Sequence, residues 1–142
     1  MRIHNNIVVR SVAFAGLALA ISLSFVVRQA SASPECQASI AELRTATETV
    51  VIIGKNAEKN RAGLLAKLDD ASAALAVGKL CTALQKLRDF RNKVNQLIVS
   101  GSINTDPTAG TTGQDLVNGA DEAIACIEAL VAESGTTCPI VE

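Results

Sequence analysis

The sequence predicts an all-α protein, an antiparallel up-and-down bundle of four helices that is stapled by disulfides. Apolar residues recur at steps of three and four along four segments, the spacing that places them on one face of a helix. Mostly short links join these segments, which favours neighbouring helices that run in opposite directions. Four cysteines in a chain of 142 residues supply two disulfides.

The first 32 residues have the pattern of a signal peptide. Arg2 and Arg10 precede an uncharged apolar run from Ser11 to Val27, and Ala30 to Ala32 then supply the small-x-small pattern of a cleavage site. We therefore predict cleavage after Ala32. The alternative is an uncleaved membrane anchor, because the run is close to the roughly 17 residues that can span a bilayer.

Removal of this leader changes the balance of charge. It contains Arg2, Arg10 and Arg28 and no acidic residue, so ten basic residues remain against fourteen acidic ones. A net charge of about minus four makes a nucleic-acid partner improbable. About 110 residues are left, enough for one core. We predict a single domain over residues 33–138 and a C-terminal tail over 139–142.

The predicted mature chain is poor in aromatic and catalytic side chains. It has no Trp, Tyr or His, since His4 lies in the leader, and Phe90 is its one aromatic residue. Stacking surfaces for sugars or single-stranded nucleic acid therefore cannot be built. Triads that depend on histidine are excluded for the same reason. We predict no enzymatic activity and no cofactor.

The first two helices follow from caps and periodicity. Ser33 is a candidate cap, Pro34 suits a first helical turn, and the helix is predicted to continue through the apolar residues up to Ile53. The second helix is predicted over residues 57–77. Gly78 then supplies the left-handed residue that permits a sharp reversal.

The third helix, residues 79–100, has the strongest amphipathic pattern of the chain. A polar loop follows over residues 100–112, rich in Gly, Ser, Thr and Asn. Thr112 and Asp115 form a candidate capping pair for the last helix, which is predicted over residues 113–133. No alternation of period two is evident along the chain, so the sequence does not predict a sheet.

The four cysteines are predicted to meet at one end of the bundle. Alternating helix directions bring Cys36, Cys81, Cys126 and Cys138 near the same end. The preferred pairing is Cys81 with Cys126 and Cys36 with Cys138, and the second choice is Cys36 with Cys126 and Cys81 with Cys138. A metal site or a redox pair is the alternative, but the sequence has neither a C-x-x-C motif nor a mature histidine.

Basic residues on the third helix are the candidate binding site. Lys79, Lys86 and Lys93 recur every seven residues and so follow one stripe, with Arg91 to one side. One interpretation is an ordinary solvated helix face. The other is a docking strip for an acidic protein or an anionic envelope polymer. The loop over residues 100–112 is a second candidate contact surface, because long polar loops on rigid scaffolds often bind.

The segment NRAGLLAKLDDASAALAVGKLCTALQKLRDFRNKVNQLIVSGSI resembles the FIMAH domain, a small helical module of exported bacterial proteins. The resemblance is carried by LLAKLD, by the reversal at Gly78, by the series of Ala83, Leu87, Phe90 and Val94, and by Ile103. TETVVIIGKN and LVNGADEAI are similar to its lead-in and closing helices. The resemblance covers about residues 47–129, and it implies an accessory module without activity of its own.

These observations together predict a non-catalytic interaction module of the periplasm, cell surface or medium. A secreted enzyme inhibitor is the first alternative, since plant invertase and pectin methylesterase inhibitors are similar in architecture, being secreted four-helix bundles with two disulfides. A carrier of an apolar ligand is the second, because many small alanines could leave room between the helices. Once the leader is removed, no stable membrane span is expected. The sequence indicates no oligomeric state.

Overall fold

A computed structural model describes residues 33–139, which form four antiparallel helices. They are α1 (Pro34–Thr49), α2 (Ala57–Ala76), α3 (Leu80–Val99) and α4 (Gly113–Ser134). Helix α1 packs against α2 and α4, and α3 packs against the same two helices from the other side. The predicted fold class is confirmed. The predicted leader, residues 1–32, lies outside the described residues.

Aliphatic side chains from all four helices fill the core. Phe90 of α3 is fully buried and is the largest of the buried side chains. Fully buried alanines on three helices let the backbones approach closely: Ala71, Ala83, Ala120 and Ala123. Burial of each larger apolar side chain contributes roughly 1.5 to 3 kcal/mol, so the core alone accounts for much of the stability.

Both ends of α1 are held by groups outside the helix. Pro34 is its first residue, as predicted, but the side chain of Ser33 makes no capping hydrogen bond, and only its carbonyl accepts one, from the backbone N–H of Gln37. At the other end, Arg61 of α2 donates from Nη1 to the carbonyl oxygens of Thr47 and Glu48 at 2.9 and 2.8 Å. This arginine satisfies carbonyls that the helix leaves without partners.

Helix α1 ends at Thr49, four residues before the predicted end at Ile53. Val50 and Ile52 are buried, whereas Val51 and Ile53 are 49% and 54% exposed. This alternation is the pattern of an extended segment, and β-branched residues favour it. The prediction that the first helix reaches Ile53 is therefore wrong, because burial on alternate positions outweighs continuation of the helix.

The extended segment after α1 pairs with the segment after α3. Ile52 and Ile103 form an antiparallel bridge, and the backbone N–H of Ile53 donates to the carbonyl of Ser102 at 2.9 Å. Ile103 is buried as a result. The bridge links two loops at the end of the bundle opposite the cysteines.

Helix α4 begins at Gly113 as predicted, and α3 begins at Leu80, one residue after its predicted start. The chain reverses between α2 and α3 at Gly78, whose φ of +73° is readily adopted only by glycine. At the start of α4, a Cβ on Gly113 would lie 2.7 Å from Ile98 and 2.8 Å from Ile103, so only glycine fits this approach. Reciprocal hydrogen bonds between Thr112 and Asp115 form the predicted capping box.

We expect the Thr112→Ala substitution to lower the free energy of unfolding by about 1 kcal/mol, because it removes the acceptor for the backbone N–H of Asp115. Urea unfolding measures this loss. Thr111→Ala is the matched control, since the structure gives that side chain no hydrogen bond within residues 33–139. Equal losses in the two variants would contradict the role of the cap.

The contribution of this cap should depend on pH. The backbone N–H of Thr112, and then its hydroxyl, hold the pKa of Asp115 below the ordinary value of 3.8. A lowered pKa in the folded state means that the stabilisation is complete above pH 3.8 and is lost as the pH falls through the folded value. The Thr112→Ala variant keeps this backbone N–H and loses the hydroxyl, so the difference in stability between wild type and variant should narrow in part, and only at acidic pH.

Candidate functional site

Two disulfides close the end of the bundle where the cysteines were predicted to meet. Cys36 is bonded to Cys126 with 5.6 Å between the Cα atoms, and Cys81 to Cys138 with 5.3 Å. The prediction that all four cysteines form disulfides is confirmed. The preferred pairing is wrong, and the second choice is the one found.

The pairing follows from which helix faces meet. Cys36 lies on the buried face of α1, which packs directly against α4, where Cys126 is located. After α4 the chain turns at Gly135, with φ of +67°, and crosses to the start of α3, where Cys138 meets Cys81. The end of the bundle at which each cysteine lies does not distinguish the two pairings. Cys126 lies on the face of α4 that meets α1, so it is bonded to Cys36 rather than to Cys81.

The four predicted binding residues, Lys79, Lys86, Arg91 and Lys93, are called here the basic surface, and they do not all point the same way. The ammonium of Lys86 donates to the Asp70 carboxylate of α2 at 2.9 Å. The guanidinium of Arg91 donates to Asp121 of α4 at 2.7 Å. Arg91 therefore belongs to the α3–α4 interface, whereas Lys86 lies on the α2 side of α3.

The other two members of the basic surface keep their charges available. Lys79 precedes α3 and is exposed, and Lys93 is half-buried. Neither is in an ion pair with another of residues 33–139. Positions seven apart stay within about 20° of one line along a helix, so both lie on the same side of α3 as Lys86. Two positive charges without acidic partners flank one that is neutralised.

Ion pairs join α2, α3 and α4 across their exposed rims. Besides the two already described, Lys67 of α2 lies 3.9 Å from Asp89, and Arg88 lies 2.8 Å from Glu128 of α4. The hydrogen bond to Asp70, together with the charge of that carboxylate, raises the pKa of Lys86. Exposed pairs of this kind each contribute only about 0 to 1 kcal/mol. They orient side chains on the surface more than they stabilise the fold.

A groove of about 430 Å³ runs along the outer surface of α3, a feature that the sequence does not predict. The Cys81–Cys138 disulfide and Pro139 line it at the start of the helix. Further along it is lined mainly by polar side chains: Thr82, Gln85, Arg88, Asp89, Arg91 and Asn92. The correct cysteine pairing would have indicated this groove, because it places the segment after α4 across α3.

The loop between α3 and α4, the second predicted contact surface, is held by its own hydrogen bonds. It contains one turn of 3₁₀ helix, Pro107–Ala109. Asn104 donates from Nδ2 to the carbonyl of Thr111 at 3.0 Å. The hydroxyl and backbone N–H of Thr108 both donate to Asp106 and lower the pKa of that carboxyl. The loop therefore presents a fixed surface.

Residues 33–139 include no group of three His, Cys, Asp or Glu side chains arranged to hold a metal ion. Within this part of the chain, none of the helices has the length and hydropathy needed to cross a bilayer. Comparison of the sequence with protein-family models and with curated proteins gives no match, and comparison with solved structures gives none either.

Proposed function

We propose that the protein is a non-catalytic interaction module of the cell envelope or the extracellular space. In this proposal, residues 1–32 direct export and are removed after Ala32. Two disulfides in a chain of this size are typical of proteins that fold in an oxidising compartment, which supports export. The resemblance of residues 47–129 to the FIMAH domain supports an accessory role, because such domains accompany other exported proteins.

The observation that carries the binding proposal is that Lys79, just before α3, and Lys93, within α3, have no acidic partner among the described residues. Lys79 and Lys93 are separated by 14 residues, about 20 Å along the helix. The intervening Lys86 is neutralised by Asp70 at 2.9 Å. A partner with acidic groups, either a protein surface or an anionic envelope polymer, would supply the negative charges that Lys79 and Lys93 lack.

The test is a pull-down with the oxidised protein, obtained by expressing the full chain in an exporting host. Envelope and culture-medium fractions of the producing cell are the source of partners. We expect a specific partner to bind the wild type and to be lost in the Lys79→Glu and Lys93→Glu double variant. Since exposed charge pairs are screened by salt, binding should also weaken as ionic strength rises.

The matched control is the Lys55→Glu and Lys59→Glu double variant. These lysines are exposed at the start of α2 and form no ion pair within the described residues. The change in net charge is the same in the two double variants. Equal binding by both variants would contradict the basic surface as the site. A wild-type protein that captures nothing from either fraction would contradict the interaction module itself.

An enzyme inhibitor is the second candidate function. The four-helix bundle with two disulfides favours it, because the plant invertase and pectin methylesterase inhibitors share that architecture. Identification of a hydrolase as the captured partner would be followed by an assay of that hydrolase with and without the protein. Unchanged hydrolase activity would exclude inhibition and leave the binding role.

A further inference from the structure

The two disulfides differ in how they are placed. Cys36 is fully buried, at 0% exposed, between α1 and α4, where it packs in the core. Cys81 and Cys138 are both half-buried, and both line the groove along α3. Cys126 is half-buried as well, but its bond leads inward to Cys36 rather than along the groove. The Cys81–Cys138 bond is therefore half-exposed at both of its residues, and the Cys36–Cys126 bond at Cys126 alone.

The segment that carries Cys138 has few other attachments. The backbone N–H of Thr136 donates to the carbonyl of Val131 at 3.3 Å, which holds the turn after α4. Beyond that residue, Thr137 and Pro139 are exposed, and the described residues provide no hydrogen bond to Thr137, Cys138 or Pro139. We call residues 136–139 the tail segment. Its last three residues are held against α3 by the disulfide and by the packing of the half-buried Cys138 against the core.

The position of Cys81 also favours cleavage of the bond. It is the second residue of α3, where the N-terminal backbone N–H groups lack helical partners and the helix dipole stabilises a negative charge. A thiolate at such a position is a good leaving group in thiol–disulfide exchange. Cys36 has a similar place near the start of α1, so access, rather than leaving-group quality, distinguishes the two bonds.

We propose that the Cys81–Cys138 disulfide is a thiol-exchange site, reducible by a small dithiol while the Cys36–Cys126 disulfide and the bundle remain intact. The thiolate of the dithiol attacks Sγ of Cys138, which forms a mixed disulfide and expels Cys81 as a thiolate. The second thiol of the reagent loses its proton and attacks the reagent's first sulfur, the one bonded to Sγ of Cys138. This closes a cyclic disulfide within the reagent and releases Cys138 as a thiolate. Two electrons pass from the dithiol to the protein.

Reduction at this site changes the groove. The disulfide and Pro139 line the groove at the start of α3, beside Leu84 and Arg88. Release of the tail segment removes that part of the lining and opens the groove at this end. The redox state of one bond would thus set the shape of a surface on α3, without any change to the helices that carry it.

The experiment uses the oxidised protein, purified from an exporting host, with dithiothreitol at graded concentrations and times. Free thiols are trapped with N-ethylmaleimide, and peptide mass spectrometry identifies which cysteines are modified. We expect Cys81 and Cys138 to be modified at least about tenfold faster than Cys36 and Cys126. Cys36 is fully buried and its bond is half-exposed only at Cys126, so reduction there requires local opening between α1 and α4. Far-UV circular dichroism of the partly reduced protein should match that of the oxidised protein.

Hydrogen exchange then tests the role of the bond in holding the tail segment. The amide of Thr136, which donates to Val131, should exchange faster after partial reduction, while those of α3 and α4 keep their protection. The Cys81→Ala and Cys138→Ala double variant should reproduce this pattern without reductant. Modification of all four cysteines in one step, earlier modification of Cys36 and Cys126, or failure of the double variant to form the bundle would each overturn the proposal.

Discussion

Removal of the Cys36–Cys126 disulfide by the paired substitutions Cys36→Ala and Cys126→Ala should lower the free energy of unfolding by about 4 to 5 kcal/mol. The bond joins residues separated by 90 positions, so it excludes many conformations of the unfolded chain. It also joins the first helix to the last. Within the described residues, α1 and α4 share no ion pair that would replace it.

Urea unfolding, followed by circular dichroism, measures this loss. The matched control is the Cys81→Ala and Cys138→Ala double variant, which removes a bond with a sequence separation of 57. We expect a smaller loss of about 2 kcal/mol, because the released tail segment gains conformational freedom in the folded protein and offsets part of the effect. Equal losses in the two double variants would show that the tail segment is held by more than its disulfide.

The Phe90→Ala substitution should cost about 3 to 5 kcal/mol, the range for truncation of a large buried side chain. Phe90 is 0% exposed on α3, the helix that packs against both α2 and α4. Its ring is the largest side chain in a core made mainly of aliphatic side chains, so its removal leaves a cavity.

The control for this prediction is Val99→Ala at the end of the same helix. Val99 is 89% exposed, so its truncation should change stability by less than about 0.5 kcal/mol. Phe90→Leu should fall between the two, since it retains most of the buried apolar area. A loss for Phe90→Ala no larger than that for Val99→Ala would mean that the ring is not part of the core.

The fold was predictable because its determinants are local. Each of three features depends only on residues that are close together in the sequence. They are the apolar spacing on each helix, the reversal at Gly78, and the capping pair of Thr112 and Asp115. Each is found in the structure. The extended segment after α1 was missed because only four residues, Val50 to Ile53, carry its alternation. Ile52 pairs with Ile103, which is 51 positions away, and the residues next to Ile52 in the sequence do not indicate that pairing.

The candidate site was only partly predictable. The sequence places Lys79, Lys86 and Lys93 on one side of α3, but whether a lysine is neutralised depends on the neighbouring helix. Asp70 of α2 pairs with Lys86, whereas Lys93 has no acidic partner within residues 33–139. The groove was not predicted at all, because the segment after α4 forms part of it by crossing a different helix.

The sequence by itself determined the number of helices, their buried faces, the alternation of their directions and the end of the bundle at which the cysteines meet. Periodicity, caps and glycine positions act over a few residues, so they can be recognised without knowing what each helix packs against. The tertiary structure alone decided that Cys36 forms a disulfide with Cys126, that Arg91 forms an ion pair with Asp121, and that α1 stops at Thr49. These features depend on which faces of distant segments come together, and packing of the whole bundle sets that choice.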